Sequence, residues 1–418
     1  MSEMFWIPRP LLNGALRAGP ADFVGPHGIV HGRLDPEVRE PNFVECVDLD
    51  EVHSYVAEWT NLVERSLEVN VFLEPSFALP AARHIPDAAQ PEFLLVWESG
   101  AVDARGRLVG LWPLVFSRSV FGGAAKTWVH EFSCSGSPLL DRHQAIEVID
   151  LMFQWLKHRN SHLHGLSAIQ LPKAGPAYGL LYDQAKARDL NFSLLCQFDR
   201  AALNARIVGV GARDFVSPKK KKELQRQFRR LRELGSVTFG VARDGSALRD
   251  QVEAFMALEA KGWKGRQNDA FLNDPALATF LRAMTRMMGL EGKCRLYWMA
   301  LDGRMIAGNI VLISRDRAYF WKTTYDEDYR LVSPGVLLAM DMTDRLLQET
   351  QIAAADSCAI PDHPMIDHLW RGRIGIADVM ISLDQDRAKR FDGGVQREKM
   401  RRSLRQRAKT LLARFRSG

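Results

Sequence analysis

Residues 295–324 read RLYWMALDGRMIAGNIVLISRDRAYFWKTT. Three apolar runs fall within them, Arg295–Leu301, Arg304–Ser314 and Ala318–Thr324. Their apolar residues suit half-buried pleated backbone. Asp302-Gly303 joins the first two runs and is a strong hairpin signal. The stretch therefore predicts three successive strands. Downstream, Gly335–Thr350 reads as a helix and Ala354–Ser357 as a further strand. Upstream, Ser217-Pro218 is a helix start, and Leu224, Phe228, Leu231 and Leu234 share one face of the helix it opens. Helices are also expected from Leu248 to Lys261 and from Asp274-Pro275 to Met288.

The middle strand has an echo in the first half of the chain. Gly106-Arg107-Leu108-Val109-Gly110-Leu111-Trp112 matches the order of Gly303-Arg304-Met305-Ile306-Ala307-Gly308-Asn309. Each copy follows an apolar strand ending in an acid, Glu98 or Asp302. Around the first copy, strands are expected at Glu92–Glu98, Arg107–Ser117 and Leu166–Leu171, and helices at His143–His158 and Tyr178–Arg188. The fold class expected is α/β, as two copies of one unit in tandem. The division expected is an irregular lead-in over 1–40, a first unit over 41–205, a second over 206–386, and a basic tail over 387–418.

Composition narrows the function. Of 418 residues, 46% are hydrophobic and 25% charged, which is ordinary globular usage. The five cysteines, Cys46, Cys134, Cys196, Cys294 and Cys358, are scattered without metal-binding or disulfide spacing. His158, His162 and His164 lack companion ligands, so no metal is expected. No apolar run approaches the ~20 residues of a membrane span, so a cytoplasmic location is expected, with an option of peripheral attachment to the inner membrane face. The net charge of +6 is concentrated at the end, where residues 387–418 hold twelve Lys/Arg and two acids. From Met400 on, Leu404, Ala408, Leu411, Leu412 and Phe415 recur at helical spacing among arginines. Such a basic amphipathic helix suits an anionic membrane surface better than nucleic acid.

Leu258-Glu259, Gly262-Trp263-Lys264-Gly265-Arg266, the Asp302-Gly303 hairpin, Trp321-Lys322, Tyr325-Asp326-Glu327 and Ser333-Pro334-Gly335 together resemble the CelD-like acyltransferases of cellulose and envelope synthesis. That family belongs to the GNAT superfamily and is similar in layout to the tandem-GNAT FemAB-type transferases. The resemblance covers residues 219–383 most strongly. It implies two GNAT-like domains, each a mixed, mostly antiparallel sheet flanked by helices, and acyl transfer from an acyl-CoA or acyl carrier protein thioester to an amine. Where the family has an acid followed by a Tyr-Lys pair, this chain has Asp356 and then Pro361-Asp362-His363-Pro364 and Asp367-His368.

Acyl transfer from a thioester needs a site for the donor's pyrophosphate, a proton donor for the thiolate and a base for the acceptor ammonium. Arg330, Ser333, Gly335 and Val336 lead into a helix and resemble the GNAT pyrophosphate loop. Pro334 removes one amide donor from it. Trp263, Lys264, Arg266 and His368 are acceptor-binding candidates. Lys322 is a cleft candidate, expected on the same strand face as Phe320. Tyr325 is a candidate donor to the leaving thiolate. His363 is the candidate base, oriented by Asp362, Asp356 or Asp367, with His368 in support. The expected acceptor is an amine of an envelope precursor, with a long-chain, sphingoid-type amine as one option. Alternatives are acetylation of an envelope polysaccharide, a FemAB-like aminoacyl-tRNA-dependent transfer, and a non-catalytic envelope scaffold.

Overall fold

The computed structural model describes residues 3–5, 42–86, 89–99, 105–116, 123–159, 163–207 and 209–416. The first half runs β1 (Glu3–Phe5), β2 (Phe43–Val47), α1 (Leu49–Val52), α2 (Val56–Arg65), α3 (Pro75–His84), β3 (Glu92–Ser99), β4 (Arg105–Phe116), β5 (Gly123–Thr127), β6 (Leu139–Leu140), α4 (Ala145–Arg159), β7 (Leu163–Pro172), α5 (Pro176–Ala187) and β8 (Phe192–Asn204). The second half runs α6 (Pro218–Leu234), β9 (Val237–Ala242), α7 (Gly245–Lys261), α8 (Trp263–Arg266), α9 (Pro275–Leu290), β10 (Cys294–Leu301), β11 (Arg304–Ser314), β12 (Arg317–Tyr325), α10 (Pro334–Gln348), β13 (Ala354–Asp356), α11 (Ile366–Leu369), β14 (Gly372–Ser382) and α12 (Ala388–Arg416).

Local chemistry accounts for the elements the sequence announces. Ser217 accepts the Lys220 amide at 3.3 Å and Asp274 accepts that of Ala276 at 2.7 Å, each ahead of a proline at the first helical position. Asp302 and Gly303 both take positive φ, 50° and 79°, as the turn of the β10–β11 hairpin requires. Within the segment expected to be irregular, Glu3–Phe5 pairs antiparallel with β2, and the rest of that segment lies outside the described residues.

The strands among the described residues form one sheet, ordered β1-β2-β3-β4-β5-β7-β14-β8-β13-β12-β11-β10-β9, with β6 paired to β4. The echoed strands β4 and β11 hold the same place in each half. Each has an antiparallel partner before it and one after it, and that last strand then runs parallel to a fourth: β5 with β7, β12 with β13. The centre of the sheet is exchanged. β14, from the end of the chain, lies between β7 and β8 of the first half. β8 in turn bridges β14 and β13. Each half thus completes the other's sheet.

One core joins the halves on the α3, α7 and α9 side. Phe77 of α3 meets Phe280 of α9 and Trp321 of β12 edge-on, with centroids 5.7 and 5.8 Å apart. Buried polar contacts cross at the same place. Glu74 pairs with Lys293 at 2.8 Å and accepts the Ser314 hydroxyl at 2.5 Å. Burial pushes the Glu74 carboxyl up, against the pull of Lys293. α4 and α5 cover one face of the first half, and Phe391 and Val395 of α12 pack with Ala124, Leu195 and Met380. The terminal helix therefore starts before Met400 and is docked at its beginning. Met400 and Leu404 are exposed, and the side chains from 409 on, with Leu411, Leu412 and Phe415, lie outside the described residues. Among the described residues no helix is long and apolar enough to cross a membrane.

Candidate functional site

β12 and β13 pair only over Arg317–Tyr319 and Ala354–Asp356. β13 ends there, while β12 continues to Tyr325. Lys322 and Tyr325 stand on the part of β12 that has lost this neighbour. Opposite, the β11 register steps from Ile310↔Lys322 to Val311↔Phe320, so Trp321 is an extra residue. A bulge of this kind breaks the alternation of side chains. Phe320 consequently packs on Trp370, whereas Lys322 lies with Trp321 and the aromatic rings of the opposite face. The expectation that Phe320 and Lys322 share a face is overturned by this one residue.

The Lys322 ammonium lies 4.4 Å from the Phe132 ring centroid, 5.6 Å from Trp321 and 5.7 Å from Phe271. These are cation–π distances. Burial pushes its pKa down to about 8, and repulsion from Lys264 adds to the fall. Lys264 is itself bound at 2.6 Å to Glu259, which is 2% exposed and accepts the Phe271 amide at 3.0 Å. His130 lies beside Trp128, with centroids 4.9 Å apart. Burial and then Lys322 hold its pKa down to about 3, so the imidazole is neutral. Phe132 and His130 come from the segment after β5, so the first half builds part of this site.

Cys134 and Cys358 meet here from the two halves, the Cys134 thiol lying 3.6 Å from the Cys358 carbonyl oxygen. The hydrogen bond with Cys358 pulls the Cys134 thiol down, and burial pushes Cys358 up. Beneath them Arg200 of β8 binds Asp356 of β13 at 2.6 Å and donates to the Cys134 carbonyl at 2.9 Å. Burial works against the Arg200 charge, but the Asp356 carboxylate outweighs it and raises its pKa. Asp356 also accepts the Cys358 amide at 2.9 Å. The meeting of the two thiols could not be read from positions 224 residues apart. Phe132 carries no signal in the sequence, and Cys134 stands out there only as one of five scattered cysteines.

The remaining candidates fall into two groups. After β13, half-buried His363 accepts the Met365 and Ile366 amides on Nδ1 at 3.3 and 3.5 Å, starting α11. Burial lowers its pKa, and Asp367 opposes this. Asp362 takes a positive φ of 57° and is exposed, as is His368. Among the described residues, no hydrogen bond or ion pair links this group to Lys322.

The second group surrounds the segment Asp326–Gly335. Glu327 accepts the Trp263 amide and the Arg266 guanidinium, both at 2.6 Å. Lys261 holds both Asp326 oxygens at 2.9 Å. Lys264 and Arg266 are thus already paired, and the Lys261 and Arg266 pairs tie α7 and α8 to the loop. Arg330 is exposed, and Ser333 takes a left-handed φ of 52° before the buried Pro334 and Gly335. The Val336 and Leu337 amides both donate to the Ser333 carbonyl at 3.1 Å. With Pro334 carrying no N–H, the Gly335 amide is the one in this first turn without a partner among the described residues. Tyr325 adjoins this turn: a Cβ on Gly335 would lie 3.4 Å from its ring.

Residues 218–361 match the sequence model of a family described as an acetyltransferase (GNAT) domain. Its span contains β12, the Arg330–Gly335 loop and β13. The fold is similar to that of FemX, with TM-score 0.52 and 9% identity over 78% of this chain and 95% of that one. A conserved protein of unknown function from Bacteroides thetaiotaomicron gives TM-score 0.49 at 11% identity, covering 79% of this chain and 97% of that chain. A tandem GNAT protein from the clavulanic acid biosynthesis pathway gives TM-score 0.40 at 16% identity, covering 82% and 99%. No curated protein sequence matches the chain. The mixed α/β fold expected from the sequence is the one found, with the GNAT match confined to residues 218–361 and the same strand layout repeated in the first half.

Proposed function

We propose that the chain is an N-acyltransferase whose reaction centre is the opening beside Lys322, between the end of β13 and the free part of β12. The observation that carries this reading is an amine with a pKa of about 8, half-buried among Phe132, Trp321 and Phe271. Such a group is partly neutral near physiological pH and can take the proton of an attacking ammonium, a role a solvent-exposed lysine fills poorly. The acceptor nitrogen attacks the thioester carbonyl, the C–S bond breaks, and the thiolate leaves. Lys322 receives the amine's proton, and Tyr325, beside the donor loop, protonates the sulfur. His363 orders the loop after β13 through the amides it accepts, and Asp362 and His368 flank it. On this reading residues 41–205 and 206–386 are two interleaved units, with the reaction on β12 of the second beside Phe132 of the first.

The donor is an acyl-CoA or an acyl carrier protein thioester, with its pyrophosphate or phosphate at Arg330, Ser333, Gly335 and Val336. Gly335→Glu is expected to weaken CoA binding at least ~10-fold, because a carboxylate would stand at the one open amide of α10. Titration calorimetry reads this, and equal affinity in variant and parent would remove the loop from donor binding. The acceptor is an amine on an envelope precursor, with Trp263 offering an exposed apolar face. A long-chain amine is the finer option, with the basic terminal helix near an anionic membrane. His363→Ala is expected to lower turnover by roughly tenfold, less than loss of a positioned base costs. A loss of ~10³-fold that shrinks as pH rises would make His363 the base instead.

A second reading keeps the transfer but changes the donor to an aminoacyl ester of RNA. The poverty of the donor loop, with one unpartnered amide in its first turn, favours it. Incubation with radiolabelled acyl-CoA and with aminoacyl-tRNA, followed by mass spectrometry of the acceptor fraction, separates the two.

A further inference from the structure

A second, separate site lies where α12 crosses β5, β7 and β14. A cavity of about 260 Å³ opens there, lined in part by Lys126, His164, Ser167, Arg397, Glu398 and Arg401. A water molecule occupies ~30 Å³ of liquid, so there is room for a phosphate and a small attached group.

The charges around it do not balance. Glu398 is the one carboxylate in the lining. It is already bound by Arg401 at 2.7 Å and by Arg402 at 2.9 Å, and Arg402 also pairs with Asp378. Lys126 and Arg397 form no ion pair among the described residues. Burial lowers the Lys126 pKa, and Arg401, Arg402 and Arg405 repel its ammonium against the attraction of Glu398. Cations crowded in this way are relieved by a bound anion.

His164 is an independent pointer. It is 4% exposed and lines the cavity, yet its Nδ1 has no hydrogen-bond partner. Its other nitrogen, Nε2, lies against Gly394 of α12, where a Cβ would come within 2.2 Å. Nδ1 is closed off within the fold, so Nε2, beside Gly394 in the lining, is the nitrogen placed to donate into the cavity. Burial, with Arg397 and Arg390 nearby, lowers the His164 pKa, so the ring stays neutral and can donate one N–H.

We propose that this cavity binds a phosphate group, held by Lys126, Arg397 and Arg401 with a hydrogen bond from His164. A tetrahedral anion with several oxygens suits a point cation, the unpaired Arg397 guanidinium fork, the N–H groups of Arg401 that its pair with Glu398 leaves open, and a neutral donor around one space. The phosphate belongs either to a soluble phosphate ester or to the headgroup of an anionic lipid. Met400 and Leu404, exposed one and two turns further along α12, make the second source testable at the same site. The site is independent of the transfer reaction and stands if that reading fails.

The test is calorimetric titration of the full chain with inorganic phosphate and with glycerol 3-phosphate. A parallel arm sediments the chain with phosphatidylcholine vesicles with and without phosphatidylglycerol. Lys126→Gln and Arg397→Gln are each expected to weaken binding at least tenfold in whichever arm binds, and Lys126→Arg to retain it. Arg226→Gln, on the distant α6, should change nothing. Thermal unfolding of each variant shows whether it is folded. Binding of the free phosphates marks a soluble ligand. Vesicle binding that glycerol 3-phosphate does not match marks a lipid headgroup. No binding in either arm, or equal binding by the parent and the folded Lys126→Gln and Arg397→Gln variants, overturns the proposal.

Discussion

Lys322→Met is expected to lower turnover about 10²–10⁴-fold while making the protein more stable. Methionine keeps the length of the side chain and packs well on aromatic rings, but it cannot take a proton. In the parent, kcat/KM should climb with pH and level off above about 8, because the neutral amine is the working form. The variant should lose that inflection. Stability should move the other way. The folded pKa of about 8 lies below the ordinary 10.5, so the unfolded chain binds more protons between these values. Folding therefore gains as pH rises through that window, and below it the cost of burying the charge is present in full. Removing the charge should then add about 1–3 kcal/mol at pH 7 and almost nothing at pH 10.5. Urea unfolding at both pH values reads this. A variant less stable at pH 7 would mean that the aromatic rings hold the ammonium more tightly than burial penalises it.

Arg200→Met is expected to cost about 3–5 kcal/mol, since it strands the Asp356 carboxylate in the interior. The effect should be large because the pair spans the exchanged centre of the sheet, from β8 to β13, and also holds the Cys134 carbonyl. Arg200→Met with Asp356→Leu should recover most of the loss, because a matched apolar pair leaves no buried charge. Guanidinium unfolding of the three variants measures both effects. A single-variant loss below about 1 kcal/mol would show that water reaches Asp356.

The parts of the fold that could be read from sequence are those whose information is local. The β10–β11 hairpin was visible because Asp302-Gly303 fixes the turn and the flanking strands are apolar. The helix starts at Ser217 and Asp274 were visible because each carries its own cap. β8 and β14 were not. β8 carries Asp199 and Arg200 in mid-strand, and β14 carries Gly375 and Asp378. Their buried charges are neutralised only by partners far away in sequence: Arg200 by Asp356, and Asp378 by Arg402 of α12 and the Gln170 amide. No short-range pattern encodes that.

The candidate site was legible to the same extent. The order Trp321-Lys322, Tyr325 and Ser333-Pro334-Gly335 marked the strand and loop at the opening, but periodicity placed Lys322 on the wrong face. The deciding feature is the extra residue at Trp321, which depends on the register with β11 and leaves no mark on the sequence. The ring of Phe132, His130 and Cys134 around Lys322 comes from the other half of the chain and becomes adjacent only when the halves pack. Lys264 and Arg266 looked free in the sequence, yet Glu259 and Glu327 engage them.

The measurement that bears most directly on the account is single-turnover transfer at pH 8 from a radiolabelled acyl-CoA to a panel of primary amines, short and long-chained. Free thiol and amide product are quantified together in the parent and in Lys322→Met. The account predicts one thiol released per amide formed in the parent, and no amide above background in a folded Lys322→Met. Equal amide formation by the two proteins would contradict it.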